Sequence, residues 1–299
     1  MAKSYLSWLS GVAWAAGIVH VLAGQAPPGL EFEAASIKPN HSTAPRRSIG
    51  IPGDRFIAKN EPLWQLIAAA YGAPGLLPQP LADYQISGGP KWVRSDRFDV
   101  EAKAAGDVVR GSEGTQRKQL MLQTLLAQRF KLVVHHQMKD MPVYALVLAR
   151  RDQTLGPKLQ PSKVDCAALR RNPNYRPGPV FGTPAYDPAN RDLCGSGMSI
   201  EGILKGGMTM TDLTVTLSRW LDRAVVDRTG LTGTFDVELQ FSSEGLPGAP
   251  GPPPGVERPP NDNPSIFTAV QEQLGLALEP TTGRVDVLVI DRVERPTPD

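Results

Sequence analysis

Residues 98–102 read Phe-Asp-Val-Glu-Ala, and residues 235–239 read Phe-Asp-Val-Glu-Leu. In both stretches apolar and polar residues alternate, which is typical of a half-buried β-strand. Apolar residues at helical spacing precede each strand, over residues 62–71 and after a capping box that begins at Thr209. The same short strand in the same context predicts that the chain contains one small unit twice.

The elements that follow each of these strands also recur in order. A second helix is predicted over residues 115–129 in the first copy, and from Asn263 to a closing Gly275 in the second. Each second helix is followed by two predicted short strands, at residues 130–134 and 143–148 in the first copy and at residues 276–278 and 285–290 in the second. The matched positions are Leu66 with Leu213, Phe98 with Phe235, Phe130 with Leu276, and Val143 with Val285. The alternative is that an α/β chain shows such alternation by chance.

These patterns predict an α+β fold made of two tandem copies, each with two helices on one face of an antiparallel or mixed sheet. An opening strand is expected over residues 32–37, ended by Lys38-Pro39-Asn40, and residues 143–148 are expected centrally in a sheet because both their faces are apolar. With 29 Gly and 29 Pro, the fold should be rich in loops. The predicted domains are a signal peptide at 1–26, a first repeat at 27–150, a disulfide-bounded insert at 151–202 and a second repeat at 203–299.

The first residues of the chain have the pattern of an export signal. Lys3 supplies a positive charge, residues 5–22 are largely apolar, and the small residues Ala23, Gly24 and Ala26 follow. This order is typical of a secretory signal peptide, and we expect cleavage after Ala26 and a periplasmic or secreted protein. An uncleaved anchor helix is the alternative, because the apolar stretch is just long enough to span a bilayer.

The two cysteines, Cys166 and Cys194, flank a segment rich in Pro and Gly. In an oxidising compartment an isolated pair is expected to form a disulfide, because a metal site would need further ligands. In the chain-entropy model such a bridge contributes roughly 3 to 4 kcal/mol.

Charge gives no sign of nucleic-acid binding. The 32 basic and 30 acidic residues give a net charge of +2, and no basic run is longer than two residues. Phosphate backbones require a concentrated basic face, which the sequence lacks.

Four stretches together resemble one protein family. They are Phe32 to Asn40 (FEAASIKPN), Gln123 to Phe130 (QTLLAQRF), Val226 to Asp236 (VDRTGLTGTFD) and Val289 to Pro296 (VIDRVERP). They are similar to an exported, soil-associated family of unknown function, over essentially the whole mature chain. The resemblance implies a module that is elsewhere fused to antirepressor-type membrane metalloprotease sensors, although this chain has no His-Glu-x-x-His motif.

The second copy has a more distant resemblance to the short N-terminal domains of secretins and TonB-dependent receptors. Leu274-Gly275-Leu276 and Gly230-Leu231-Thr232-Gly233 carry it. Those domains work by protein contact, so the resemblance implies an interaction module of the cell envelope, although shared fold alone does not transfer function.

No catalytic or nucleotide-binding motif is found, so we expect neither a cofactor nor a metal. Gly-x-Ser-x-Gly and the phosphate-binding Gly-rich loop are both missing. His135 and His136 are adjacent on a predicted strand and should point to opposite faces, which disfavours a shared metal. Asp227, Asp236 and Asp291 could be imagined as an acid and base set, but Asp227 is better explained as accepting turn amides and Asp236 as facing solvent.

The segment between the cysteines is the predicted contact for an envelope protein or cell-surface ligand. It contains Arg171, Tyr175, Arg176, Phe181 and Tyr186, and aromatic and Arg side chains dominate the energetics of interfaces. These side chains could instead pack the loop onto the domain. The sequence thus favours a non-catalytic binding module, and a hydrolase with an unrecognised site is the alternative.

Overall fold

The computed structural model describes residues 30–42, 48–73, 80–105, 111–164, 197–198, 203–247 and 262–297. Over these residues the fold is α+β, with five α-helices and three four-stranded sheets. The predicted fold class is therefore confirmed.

The helices and strands alternate along the chain. In the first half they are β1 (Phe32–Asn40), β2 (Ser48–Gly50), β3 (Arg55–Pro62), α1 (Leu63–Tyr71), β4 (Ile86–Gly88), α2 (Trp92–Ser95), β5 (Arg97–Ala104), α3 (Gly111–Arg129) and β6 (Val133–Leu148). In the second half they are β7 (Leu159–Pro161), β8 (Gly197–Met198), β9 (Ile203–Met208), α4 (Met210–Leu221), β10 (Val225–Asp227), β11 (Phe235–Gln240), α5 (Ile266–Leu274) and β12 (Leu276–Arg292).

Each half has an antiparallel sheet with an equivalent strand order. The first sheet runs β1-β5-β3-β2, and the sheet of the second half runs β7-β11-β9-β8. In both, the repeated Phe-Asp-Val strand is an inner strand. This equivalence is consistent with an internal duplication, which stays a prediction.

The third sheet joins the two halves, and its order is β10-β6-β12-β4. The long strands β6 and β12 pair antiparallel from Leu276 opposite Leu148 to Arg292 opposite Val133. Each short edge strand pairs in parallel with the long strand of the other half. Val225 of β10 lies opposite Tyr144, and Ile86 of β4 lies opposite Leu288.

The long central strands differ from the expected pairs of short strands. Residues 133–148 form one strand, as do residues 276–292, and Phe130 precedes β6. Residues 135–138 of β6 are all exposed and, apart from Met138, polar, so apolar alternation does not reveal this part of the strand. Pairing with β12 keeps it extended. The sheet is therefore shared between halves. The expected central position of residues 143–148 is confirmed.

The opening strand also extends further than its sequence suggests. β1 continues through Lys38 and Pro39 to Asn40, because Pro39 lies opposite Phe98 at the sheet edge formed by β1. An edge strand tolerates proline, which has no N–H to donate.

Two main apolar cores result, and the central ladder contributes to both. The first includes Phe56, Leu66, Leu122 and also Leu288 from β12. The second core groups α4, α5 and β11 with Leu146 from β6. Each half therefore buries side chains that the other half supplies.

Helix ends follow the local sequence. The Thr209 side chain accepts from the Asp212 backbone N–H at 3.1 Å, and Asp212 Oδ2 accepts from the Thr209 N–H at 3.0 Å, which confirms the capping box. Gly275 ends α5 with a φ of 70°, the left-handed conformation that glycine adopts most readily.

Candidate functional site

A cavity of about 480 Å³ lies between the β2–β3 hairpin and helices α1 and α3. Its lining residues are Ile49, Gly50, Ile51, Phe56, Gln65, Ala69, Pro80, Thr115, Lys118, Gln119 and Leu122. Ligand pockets of proteins commonly have volumes of roughly 300 to 1,000 Å³ and mostly apolar walls with a few polar groups. The cavity therefore has the size and composition of a small-molecule site.

Hydrogen bonds between α3 and the last carbonyl groups of α1 fix one wall of the cavity. Gly72 ends α1 in extended conformation, so no left-handed cap satisfies these carbonyls. Gln119 Nε2 donates to Ala69 O at 3.1 Å, and Gln123 Nε2 donates to Ala70 O at 2.8 Å. The two glutamines thus fix α1 against α3.

Lys118 is the charged group of the cavity. It exposes only 9% of its surface, and its ammonium donates to the backbone carbonyl oxygen of Gly53. No carboxylate of the described residues forms an ion pair with Lys118. A buried ammonium with so little compensation is costly in free energy.

Burial lowers the pKa of Lys118, and the negative charge of Asp54 opposes this effect in part. Asp54 lies in the turn between β2 and β3, next to Gly53. Desolvation is the larger influence, and an anion bound close to this ammonium would oppose it by favouring the charged form of Lys118.

The two neighbouring histidines, which were expected to point to opposite faces of a strand, contact different aspartates. His135 Nδ1 lies 2.8 Å from Asp291 Oδ2, and His136 Nδ1 lies 3.0 Å from Asp286 Oδ2. Both pairs are exposed to solvent. Among the described residues no group of three or more His, Cys, Asp or Glu side chains could hold a metal ion.

The three aspartates considered from sequence lie in separate places. Asp227 Oδ1 accepts from the Thr229 backbone N–H at 2.9 Å and from its hydroxyl at 2.8 Å, which confirms its turn role. Asp236 is exposed on β11, as expected, and Asp291 binds His135 on β12. The structure does not bring the three carboxylates into one site.

One further polar contact crosses the central sheet. Lys139 Nζ donates to Ser87 Oγ at 2.9 Å, from β6 to the edge strand β4. A serine beside a lysine is an arrangement that some hydrolases use, which makes this pair the place to test for hydrolysis.

The residues proposed from sequence for the disulfide and for partner contact lie outside the described part of the chain. They are Cys166, Cys194, Arg171, Tyr175, Arg176, Phe181 and Tyr186. The predicted bridge and contact stay predictions. No helix in the described ranges combines the length and apolarity that a membrane span needs.

Sequence reasoning missed Lys118, although the signal was present. The apolar stripe of α3 contains Leu122, Leu125 and Leu126, and Lys118 lies one turn before Leu122 on the same side. A lysine that continues an apolar stripe is a candidate for a buried charge.

Comparison with known protein families finds a match over most of the chain. The family described as "Protein of unknown function (DUF3738)" matches residues 64–293. This range covers most of the chain and includes α3, Lys118 and all of α1 except Leu63, but not the β2–β3 hairpin. No curated protein and no solved structure matches the chain.

Proposed function

Because the chain belongs to the DUF3738 family, whose function is unknown, we propose from its own structure that it is a non-catalytic binding module of the cell envelope. The observation that carries the proposal is the cavity of about 480 Å³ beside α1 and α3. Export rests on the N-terminal signal pattern in residues 1–26.

The walls of this cavity support binding of an apolar ligand. Phe56 and Leu122 are both almost fully buried, while Ile49 on the hairpin exposes 37% of its surface. A ligand that covered Ile49 would remove apolar surface from water, and this burial contributes about 25 cal/mol per Å² to the free energy of binding. The polar side chains of Gln65 and Lys118 would orient the ligand.

Binding of the neutral fluorescent dye Nile red to the purified mature chain tests this function. We expect saturable fluorescence that Ala69→Phe abolishes, because a phenyl group on α1 would fill the cavity. The control is Thr216→Phe on α4, a half-buried helical position that is outside the cavity. Equal Nile red binding by both variants and the wild type would exclude this cavity as the binding site.

A hydrolase is the alternative that the sequence left open. The Ser87–Lys139 contact is the observation to test, with p-nitrophenyl butyrate as substrate. The binding-module proposal expects no ester hydrolysis above that of the Ser87→Ala variant. Turnover that Ser87→Ala removes would replace the proposal with the hydrolase alternative.

A further inference from the structure

The cavity contains one buried positive charge in a mostly apolar lining. Ile49, Ile51 and Ala69 provide its partly exposed apolar surface, and Lys118 supplies the ammonium. A ligand that fits both features needs an apolar body and one anionic group.

The hydrogen-bonding capacity of Lys118 limits what this anionic group can be. An ammonium has three N–H donors, and in the structure one of them is used by the carbonyl oxygen of Gly53. A carboxylate could accept the other donors and carry the charge that balances the single ammonium. A dianionic phosphate would bring a second charge for which the described cavity lining offers no cation.

We propose that the cavity binds an amphipathic carboxylate, with its apolar body against Ile49, Ile51 and Ala69 and its carboxylate on the ammonium of Lys118. This ligand class rests on the proposed binding function and names the chemistry of the same site. Asp54 lies near the ammonium and weakens its attraction for an anion. The side chain of Asp54 therefore tunes affinity without being part of the cavity lining.

The test compares three ten-carbon probes on the mature chain by titration calorimetry, below their micelle-forming concentrations. Decanoate carries a negative charge, decanol is neutral, and decyltrimethylammonium is positive. We expect decanoate to bind about ten-fold or more tightly than decanol, because a charge-assisted hydrogen bond is worth a factor of this order. The cationic probe should bind more weakly than decanol.

Two substitutions identify the residue responsible. Lys118→Met should remove the preference for decanoate and leave the affinity for decanol unchanged. Lys103→Met should change neither the affinity for decanoate nor that for decanol. Lys103 is a matched control because it is a lysine on β5 that pairs with Glu33 at the surface. Asp54→Asn should strengthen decanoate binding several-fold and leave decanol unchanged, which a misfolded variant could not do.

The outcomes separate this proposal from the proposed function. Equal affinity for decanoate and decanol, both abolished by Ala69→Phe, would overturn the carboxylate assignment and leave the binding function standing. The proposal is also overturned if the preference for decanoate survives in Lys118→Met. Failure of every probe together with Nile red would overturn both.

Discussion

Gly275 and Gly156 lie with their backbones in direct contact. A Cβ built on Gly275 would lie 2.5 Å from the backbone nitrogen of Gly156. The Gly156 N–H donates to the carbonyl oxygen of Leu274 at 2.8 Å, so the chain between β6 and β7 is held against the end of α5. Two glycines far apart in the sequence therefore form one junction.

Gly275→Ala should destabilise the protein by about 2 kcal/mol or more, because the substitution adds a steric overlap to the cost of a left-handed φ. Gly230→Ala is the matched control. Gly230 has a φ of 71°, but a Cβ there would meet nothing within 4 Å. Gly230→Ala should lower the free energy of unfolding by only about 1 kcal/mol. Urea unfolding measures both values, and equal losses would contradict the contact between the two glycines.

The first half of the chain should not fold alone. A fragment of residues 27–150 lacks β12, which pairs with β4 and supplies Leu288 and Ile290 to the first core. We expect no cooperative thermal transition by circular dichroism from this fragment. Co-expression with residues 151–299 should restore the transition, and a fragment that unfolds cooperatively by itself would disprove the dependence.

Within the full chain, Leu288→Ala should cost about 2 to 5 kcal/mol, because it leaves a cavity in the first core. Leu120→Ala on α3 is the control, since Leu120 exposes 37% of its surface and should cost little. Chemical denaturation of both variants checks this expectation. A negligible loss at Leu288 would mean that β12 does not support the first half.

Asp99 should make the free energy of unfolding depend on pH. Its Oδ1 accepts from Asn40 Nδ2 at 2.7 Å and from the backbone N–H of Asn60 at 2.8 Å. Burial raises the pKa of Asp99, but these hydrogen bonds and the charge of Lys59 outweigh it, so the pKa is lowered overall. The stabilisation is therefore present above the unfolded pKa of about 3.9 and is lost as the pH falls through the lowered folded value.

Asp99→Asn should consequently lower the free energy of unfolding by about 1 kcal/mol at neutral pH, and the difference from wild type should shrink below about pH 4. Asp236→Asn is the control, because Asp236 follows Phe235 as Asp99 follows Phe98 but has an exposed side chain. Urea unfolding at both pH values measures the effect. A loss at Asp99 that does not change with pH would contradict the role of its charge.

Mass spectrometry can detect the predicted Cys166–Cys194 disulfide. Alkylation of exported protein without reductant should leave both cysteines unlabelled and linked. Two labelled thiols would refute the bridge and weaken the predicted localisation. Reduction before alkylation is the control that shows both thiols can react.

The predicted partner contact needs a separate experiment. Replacing Tyr175, Phe181 and Tyr186 together by Ala should weaken capture of an envelope partner and leave thermal stability nearly unchanged. A collapse of stability would instead show that these rings pack onto the domain.

Local sequence predicted the elements whose stability depends on neighbouring residues. The capping box at Thr209, the end of α5 at Gly275 and the inner strands at Phe98 and Phe235 are all as expected. Each depends on side-chain periodicity or on a cap within a few residues, and such signals are readable without a partner.

The sequence by itself thus determined the α+β class, the order of the main helices and strands and the end of α5 at Gly275. The tertiary structure decided that β6 and β12 are continuous, that β4 and β10 cross between halves and that Lys118 is buried. Strands β4 and β10 have three residues each, too few for a period to show. The exposed middle of β6 is held extended by hydrogen bonds to residues more than a hundred positions away. Such pairings depend on distant partners, so local patterns do not predict them. The apolar stripe of α3 marks Lys118 as a candidate for burial, but only the packing of the β2–β3 hairpin against α3 decides that it is buried.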